Sequence, residues 1–405
     1  MKYQSILIGL GMLPFINSCQ GQTGQATAGA TGETTNRVGG DCEEGYCELM
    51  YVGIPQEINP VDTSKGWFEK GQKLIVTGTV YKIDGKTPAP GVIVYYHHTD
   101  HEGYYSPGPN KPEDQTRHGH LRGWVKTDAS GKYTLFTNRP APYPNENLPA
   151  HIHLIIKEPN IKNEYWIDDL VFDDDKLLIP YRKKYPETAP RGGSGTLRVL
   201  LKNGIQIAEH DIILGLNIPN YPFKAADEEQ SGLHIGEDQP SFGPFHAFGP
   251  DKGSQACPVC KYGRYHGILY FVGNHPNWKE IESWLIFLEQ QSIRRQDKLK
   301  VYFVYGNENQ YNKKERQKQL EQLGKRLNIQ KIALTFVPSF IDGETEVNLN
   351  KINPKVENTF IIYRYRRIID KYIGLKPTPE NFAMVSNILQ NSQGGYFDLP
   401  MPPHD

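Results

Sequence analysis

Two histidines one residue apart, His151 and His153, sit in the run Ala150-His-Ile-His-Leu-Ile-Ile156. Side chains alternate between the faces of a strand, so both imidazoles point one way while Ile152 and Leu154 point the other. Two imidazoles on one face can hold one metal ion. The same pattern occurs on strands that bind nothing, so the decision falls to context. Tyr143 lies eight residues before His151, in Pro140-Ala-Pro-Tyr-Pro-Asn145, and Tyr104-Tyr105 follows Gly103. A second pair with chemical potential, Cys257-Pro-Val-Cys260, has the spacing of redox dithiols.

The ordered set is longer than any one motif. Gly103-Tyr-Tyr105 follows an expected strand over 92–98. Next comes Leu121-Arg-Gly-Trp-Val-Lys-Thr-Asp-Ala-Ser-Gly-Lys-Tyr133, then Pro140 to Tyr143, then His151-Ile-His153. This order resembles the intradiol ring-cleavage dioxygenases, the family of protocatechuate 3,4- and catechol 1,2-dioxygenases. Their pattern runs Gly-x-Tyr, Arg-Gly with Thr-Asp and a glycine turn, Pro-x-x-Tyr, and His-x-His. The resemblance covers about residues 42–215. It implies an all-β sandwich that holds one non-haem Fe(III) through Tyr105, Tyr143, His151 and His153, with Tyr143 and His151 axial. It also implies an oxidoreductase that cleaves a catechol-type aromatic diol with O2, the diol displacing the Tyr143 phenolate, which takes a substrate proton. The donor chemistry agrees, because phenolates are hard anionic ligands suited to a trivalent ion. Tyr104 competes with Tyr105 but breaks the Gly-x-Tyr spacing.

One departure matters. The family carries an arginine three residues before the first histidine of His-x-His, and here that position is Leu148. Either another cation substitutes, with Arg122 the expected catalytic residue and Arg117 a second candidate, or the turnover differs, or the site binds iron without efficient cleavage. His97, His98, His101, His118 and His120 are expected around the site as surface or supporting residues rather than ligands. Asp173-Asp-Asp175 reads as a solvated loop rather than a calcium site.

These residues need elements to position them. The stretch 73–81 is rich in β-branched residues and 91–97 reads as a second strand; 124–137 reads as a hairpin around Asp128-Ala-Ser-Gly131. Asn203-Gly204 marks another hairpin, between 196–201 and 205–214. A Pro/Gly/His-rich connector is expected over 216–253. Beyond it, 254–395 alternates strand and helix in the order of an α/β layer fold resembling thioredoxin. Strands are expected at 267–272, 298–305, 332–337, 359–363 and 367–375, and helices at 277–291, 313–327 and 380–389. Cys257 and Cys260 precede the strand at Gly267 instead of following it, and Asn358 precedes Thr359 where a cis-proline often stands. That placement favours a structural disulfide or a partner-binding module over an oxidoreductase. The fold class is therefore multidomain, a β-sandwich followed by an α/β domain.

The N-terminus has the signs of processing. Lys2 precedes a short apolar run, Ile6 to Phe15, which ends at Ile16-Asn-Ser-Cys19. Residues 1–19 thus resemble a lipoprotein signal, and 20–41 a flexible tether. With Cys19 acylated, the remaining four of five cysteines form two close pairs, Cys42/Cys47 and Cys257/Cys260, each able to close in an oxidising envelope. The expected location is therefore the cell envelope, with membrane contact only through Cys19. No apolar run reaches the ~18 residues of a bilayer span, so the body is expected to be soluble. Lys plus Arg total 45 against 46 Asp plus Glu, with no basic stretch, which argues against a nucleic-acid partner. Two other function classes stay open: an envelope module that binds carbohydrate or protein over a metal site without turnover, and a C-terminal thiol-disulfide exchanger.

Overall fold

The computed structural model describes residues 37–42, 46–107, 117–223, 230–309 and 311–402. All belong to one compact unit, Asn36–Asp405. The expected leader, Cys19 and the tether as far as Asn36 lie outside the described residues.

The first half is built from strands β1 (Val61–Thr63), β2 (Lys73–Tyr81), β3 (Ile93–His98), β4 (Arg122–Lys126), β5 (Lys132–Asn138), β6 (His151–Lys157) and β7 (Tyr165–Phe172). A short helix α1 (Leu178–Lys184) and strands β8 (Thr196–Leu197), β9 (Leu200–Lys202), β10 (Ile205–Glu209) and β11 (Ile212–Ile213) complete it. Among the described residues one sheet runs β1-β5-β2-β10-β9, with β11 also on β2, and the other runs β4-β3-β6-β7-β8. Their inner faces share one core: Leu74, Val76 and Leu135 from the first, Val94, Tyr96, Ile152 and Leu154 from the second. This is the two-layer solution for half-apolar sheets.

Asn203 and Gly204 carry φ of 52° and 78°, and Ile205 pairs with Lys202, so the Asn-Gly hairpin forms as its residues dictate. The hairpin expected over 124–137 does not form. β4 pairs with β3 while β5 pairs with β2, so the Asp128 turn carries the chain from one sheet to the other. Local turn chemistry specifies a reversal but not which neighbour each strand takes. The aspartate triplet is not a solvated loop either. Asp173 accepts from Val199 N–H at 3.2 Å, Asp174 pairs with Arg139 at 2.8 Å, and Asp175 accepts from Ala150 N–H at 2.8 Å, pinning the start of β6.

The second half holds β12 (Phe245–Phe248), α2 (Pro258–Tyr262), β13 (His266–Val272), α3 (Trp278–Arg295), β14 (Leu299–Tyr305), α4 (Lys313–Arg326), β15 (Ala333–Phe336), β16 (Thr359–Arg364), β17 (Arg367–Ile373) and α5 (Pro379–Asn391). Its sheet runs β12-β15-β14-β13-β16-β17, with β13, β14 and β15 parallel and the others antiparallel to their neighbours. β13 is buried along its whole length, as a central strand covered on both faces is. Asn277, Asn312 and Thr378 cap the three long helices. The structure moves the expected boundary: β12 comes from the stretch read as connector, whose four residues are too short to show a period.

Buried polar contacts join the two halves. Arg367 donates to the carbonyls of Ser194 and Thr196, at 2.8 and 3.2 Å, and Arg198 grips Asp238 with two bonds. Burial opposes the Asp238 charge, but Arg198 outweighs it and holds the carboxyl below its usual range. A depressed carboxyl contributes fully above its unfolded value of about 4 and loses that contribution as acid protonates the folded state. The pair is half-buried, so Asp238→Ala is expected to cost about 2 kcal/mol at pH 7. Urea unfolding should show that deficit shrinking as the pH is taken from 5 to 3; a deficit independent of pH would remove the ion pair as its cause.

Candidate metal centre

The centre lies on the outer face of the β4-β3-β6-β7-β8 sheet. His97 on β3 stands directly opposite His153 on β6, their ring centroids 4.6 Å apart, and His151 follows at 4.7 Å from His153. The two tyrosines arrive on loops. Tyr143 belongs to the β5–β6 connection, where Pro140, Pro142 and Pro144 restrict the backbone. Tyr105 follows Gly103, whose φ is +90° and whose missing Cβ would stand 2.1 Å from the Pro142 carbonyl. Only glycine lets these two loops touch, which is the physical content of the Gly-x-Tyr spacing. Asp100 ties them further, accepting from Tyr104 N–H at 3.1 Å while its own carbonyl accepts from Ala141 N–H at 3.0 Å. Tyr104 points outward and is 55% exposed.

The four side chains expected as ligands converge. The Tyr105 and Tyr143 hydroxyls are 3.0 Å apart, and Tyr143 is 3.2 Å from His151 Nε2. Donors bound to one ion at ~2 Å and roughly right angles stand ~3 Å apart, so Tyr105, Tyr143 and His151 are spaced for a single metal. His151 Nδ1 donates to the Pro149 carbonyl at 2.8 Å, and His153 Nδ1 to Asp169 at 2.9 Å. Each imidazole then carries its proton on Nδ1 and keeps the Nε2 lone pair for coordination. Two phenols and two Nε2 donors match the chemistry of ferric iron.

Asp169 is the residue sequence reasoning missed. Ligand atoms of His151, His153 and Asp169 lie within 4.8 Å of one another. A bulge places it there: between Ile152 and Leu154 the facing strand β7 runs from Leu170 to Ile167, so Asp168 and Asp169 together oppose His153. Tyr165, Ile167, Leu170 and Phe172 are the inward residues of β7, and the slip between Ile167 and Leu170 is visible in the sequence. Burial works against the Asp169 charge, and His153 at its oxygen more than offsets it. Burial pushes neighbouring Asp168 up to about 6.

A cavity of about 310 Å³ opens onto Tyr105, Tyr143 and His153. His97, His118 and Arg117 give it polar groups; Ile155, Trp166 and the Cys42–Cys47 disulfide give it an apolar side. Burial holds His118 down to about 3 and His97 also well below the usual imidazole range, so both are neutral at pH 7. His118 Nδ1 shares a hydrogen bond with the Tyr95 hydroxyl at 2.8 Å, and His97 Nδ1 has no hydrogen-bond partner among the described residues. His98 is bonded to Thr99 and Thr137, His120 to Ser106 and Glu69, and His101 reaches Glu102 at 4.0 Å; none of these three lines the cavity. Arg122 does not line it either. The turn at Val52 closes over β4, and its carbonyl takes the guanidinium at 3.0 Å. The cation on the cavity wall is Arg117, stacked 3.8 Å above the Tyr46 ring.

Fold and donor set thus define a β-sandwich with a phenol-imidazole cluster at one rim. The family model described as "Dioxygenase" matches residues 51–183. The catechol 1,2-dioxygenase 1 of Acinetobacter lwoffii is 30% identical over 152 residues, 31% of this chain and 46% of its own length. The catechol 1,2-dioxygenase of Acinetobacter baylyi is 31% identical over 124 residues, 27% of this chain and 39% of its own. The chain therefore spans less than half the length of these two relatives. A solved mercury-inhibited catechol 1,2-dioxygenase from Acinetobacter sp. ADP1 is 22% identical, covering 42% of this chain and 63% of that one, with a TM-score of 0.31. Over residues 51–183 the chain matches that family model, and it is similar to these catechol 1,2-dioxygenases over parts of their length.

The hydrogen bonds fix a prediction that needs no metal. Nitrogen-15 NMR of the metal-free protein at pH 8 should report His151 and His153 as Nδ1–H tautomers, and Asp169→Ala should lose that preference at His153 alone. An Nε2–H tautomer at either ring in the unsubstituted protein would refute the donor geometry.

Proposed function

We propose that the front half of this protein is a non-haem Fe(III) intradiol dioxygenase acting on a catechol-type aromatic diol with O2. The observation that carries the reading is the convergence of the Tyr105, Tyr143, His151 and His153 side chains with both imidazole Nδ1 atoms engaged elsewhere. Ferric iron held there would supply Lewis acidity and an electron acceptor for the bound diol. The protein's residues do the rest. Tyr143, hydrogen-bonded to both Tyr105 and His151, would help hold the metal and is positioned to accept a diol proton at its phenol oxygen. Asp169 keeps the His153 ring oriented. A cavity of about 310 Å³, at the small end of ligand sites, suits a single aromatic ring lying between Ile155, Trp166 and the disulfide. Arg117 offers the positive charge that Leu148 does not.

A second reading, iron binding without turnover, rests on Leu148. Both readings share an envelope location with Cys19 as lipid anchor, supported by Lys2, the apolar run Ile6 to Phe15 and the small residue Ser18 before Cys19. For the second half we propose a thioredoxin-like layer. Support comes from the parallel β13-α3-β14 unit, the antiparallel β16-β17 pair and the closing helix α5. Cys257 and Cys260 are disulfide-bonded, and we read the pair as a structural staple because it precedes β13 instead of following it.

Iron-loaded protein should hold one ferric ion per chain and be visibly coloured by tyrosinate-to-iron charge transfer. Tyr105→Phe should weaken iron retention by at least the 10- to 100-fold typical of lost supporting contacts, and Asp169→Ala by about that much. An oxygen electrode should record one O2 consumed per catechol. Coloured protein with no oxygen uptake across a catechol panel would select the binding reading, and a fully loaded but colourless protein would remove both.

A further inference from the structure

A second cavity, of about 710 Å³, lies where the two halves of the chain meet, and the chemistry above makes no use of it. Domain junctions are favoured places for ligand sites. Its lining includes five cations, Arg182, Arg198, Lys261, Arg264 and Arg366, against two carboxylates, Asp173 and Asp238. Three of the cations are already matched: Arg198 with Asp238 at 2.6 Å, Arg182 with Glu187 at 2.7 Å, and Lys261 with Asp251 at 2.5 Å. Arg264 and Arg366 have no carboxylate within ion-pair distance among the described residues. Arg264 donates to the Leu399 carbonyl at 2.8 Å, and its Nε is buried with no hydrogen-bond partner. Among the described residues Arg366 reaches the Cys260 carbonyl, at 3.5 Å.

The backbone beneath Arg366 carries a second, independent sign. Arg364 pairs with Arg367, so Tyr365 and Arg366 form the whole turn between β16 and β17, with φ of 49° and 66°. A two-residue turn of this kind favours Asn-Gly, and two large residues with positive φ are strained there. Both line the cavity, and local strain kept at a cavity wall is a mark of use rather than of packing. Room is also made for the arginine: a Cβ on Gly263 would stand 2.7 Å from Arg366 Cγ. Burial and nearby Arg198 pull Arg366 below the ordinary arginine range, so an added anion would relieve it.

One side of the lining is apolar, with Leu178, Ile179, Val199, Leu200 and Met401, and Thr196, Gln239 and Ser241 add neutral polar groups. We propose that this cavity binds a small organic dianion, an apolar body bearing two acidic groups, with Arg264 and Arg366 as its partners. The cavity is too large for inorganic phosphate alone to fill, and its apolar side gives inorganic phosphate no contact.

The test titrates the full chain with the dianionic dye bis-ANS, read by fluorescence. One saturable site is expected, weaker by about tenfold or more in Arg366→Gly and in Arg264→Gln, as loss of a charge-assisted contact implies. The melting temperature of Arg366→Gly should stay level or rise, because glycine accepts the positive φ without strain. A purely structural arginine would instead lower it and leave the dye bound. Should Arg366→Gly fail to fold, Arg264→Gln carries the test. Absence of a saturable site, binding unchanged in both variants, or displacement of the dye by inorganic phosphate as readily as by phthalate would overturn the proposal.

Discussion

The orientation of His153 hangs on a mismatch of one residue between two neighbouring strands. β7 spends two residues, Asp168 and Asp169, opposite the single His153 of β6. With strict alternation, Tyr165 and Ile167 facing the core would send Leu170 and Phe172 to the outer face. The extra residue resets the phase, so all four stay in the core while two acidic residues gather at the rim. One bulge therefore satisfies two demands that a regular ladder would set against each other. It completes the sandwich interior, and it delivers a carboxylate to an imidazole Nδ1.

The phenols answer to a different constraint. Strands can aim the histidines, but Tyr105 and Tyr143 come from loops, where backbone freedom would scatter them. Proline on either side of Tyr143, the close approach at Gly103 and the Asp100 bonds remove that freedom. His120 adds a latch from the far side, since its backbone N–H and Nδ1 both bond the Ser106 carbonyl, at 3.0 and 2.6 Å. The cluster of phenols and imidazoles is thus held by backbone contacts of its own loops, a form of preorganisation.

What could be read from the sequence follows from these causes. That His151 and His153 share one face was legible because period two is a local property of strands, and the ordered spacing pointed to Tyr143 and Tyr105 as the phenols set beside them. The Asn203-Gly204 hairpin and the three long helices announce themselves through turn and cap residues. Strand partners did not, as the Asp128 turn shows, since hydrogen-bonded neighbours are chosen by the tertiary core. Neither did Arg122. Its position on β4 beside His97 looks suitable, yet a loop some seventy residues earlier covers it at Val52. The same non-local packing hid the role of Asp173, Asp174 and Asp175, whose partners lie on other segments.

Charge at the rim can now be traced to particular groups. Two of the imidazoles that line the cavity, His97 and His118, are neutral at pH 7 because burial penalises their cations, so they can hydrogen-bond but cannot balance an anion. Leu148 adds nothing ionic. The permanent positive charge on the wall is Arg117, whose guanidinium rests on Tyr46, adjacent in sequence to Cys47. Cys47 is fully buried with Met50, Tyr95 and Ile155, and its disulfide to Cys42 closes this short loop against the sheet. Trp124 and Trp166 reinforce it, donating to the carbonyls of Met50 and Asp41 at 2.6 and 3.2 Å. A cation carried on the loop edge is thereby given a firm aromatic seat, and the apolar packing that seats it also forms the dry side of the cavity. The electrostatics of the rim and the packing of Cys42, Tyr46, Cys47 and Met50 are, in this protein, one structural problem with one solution.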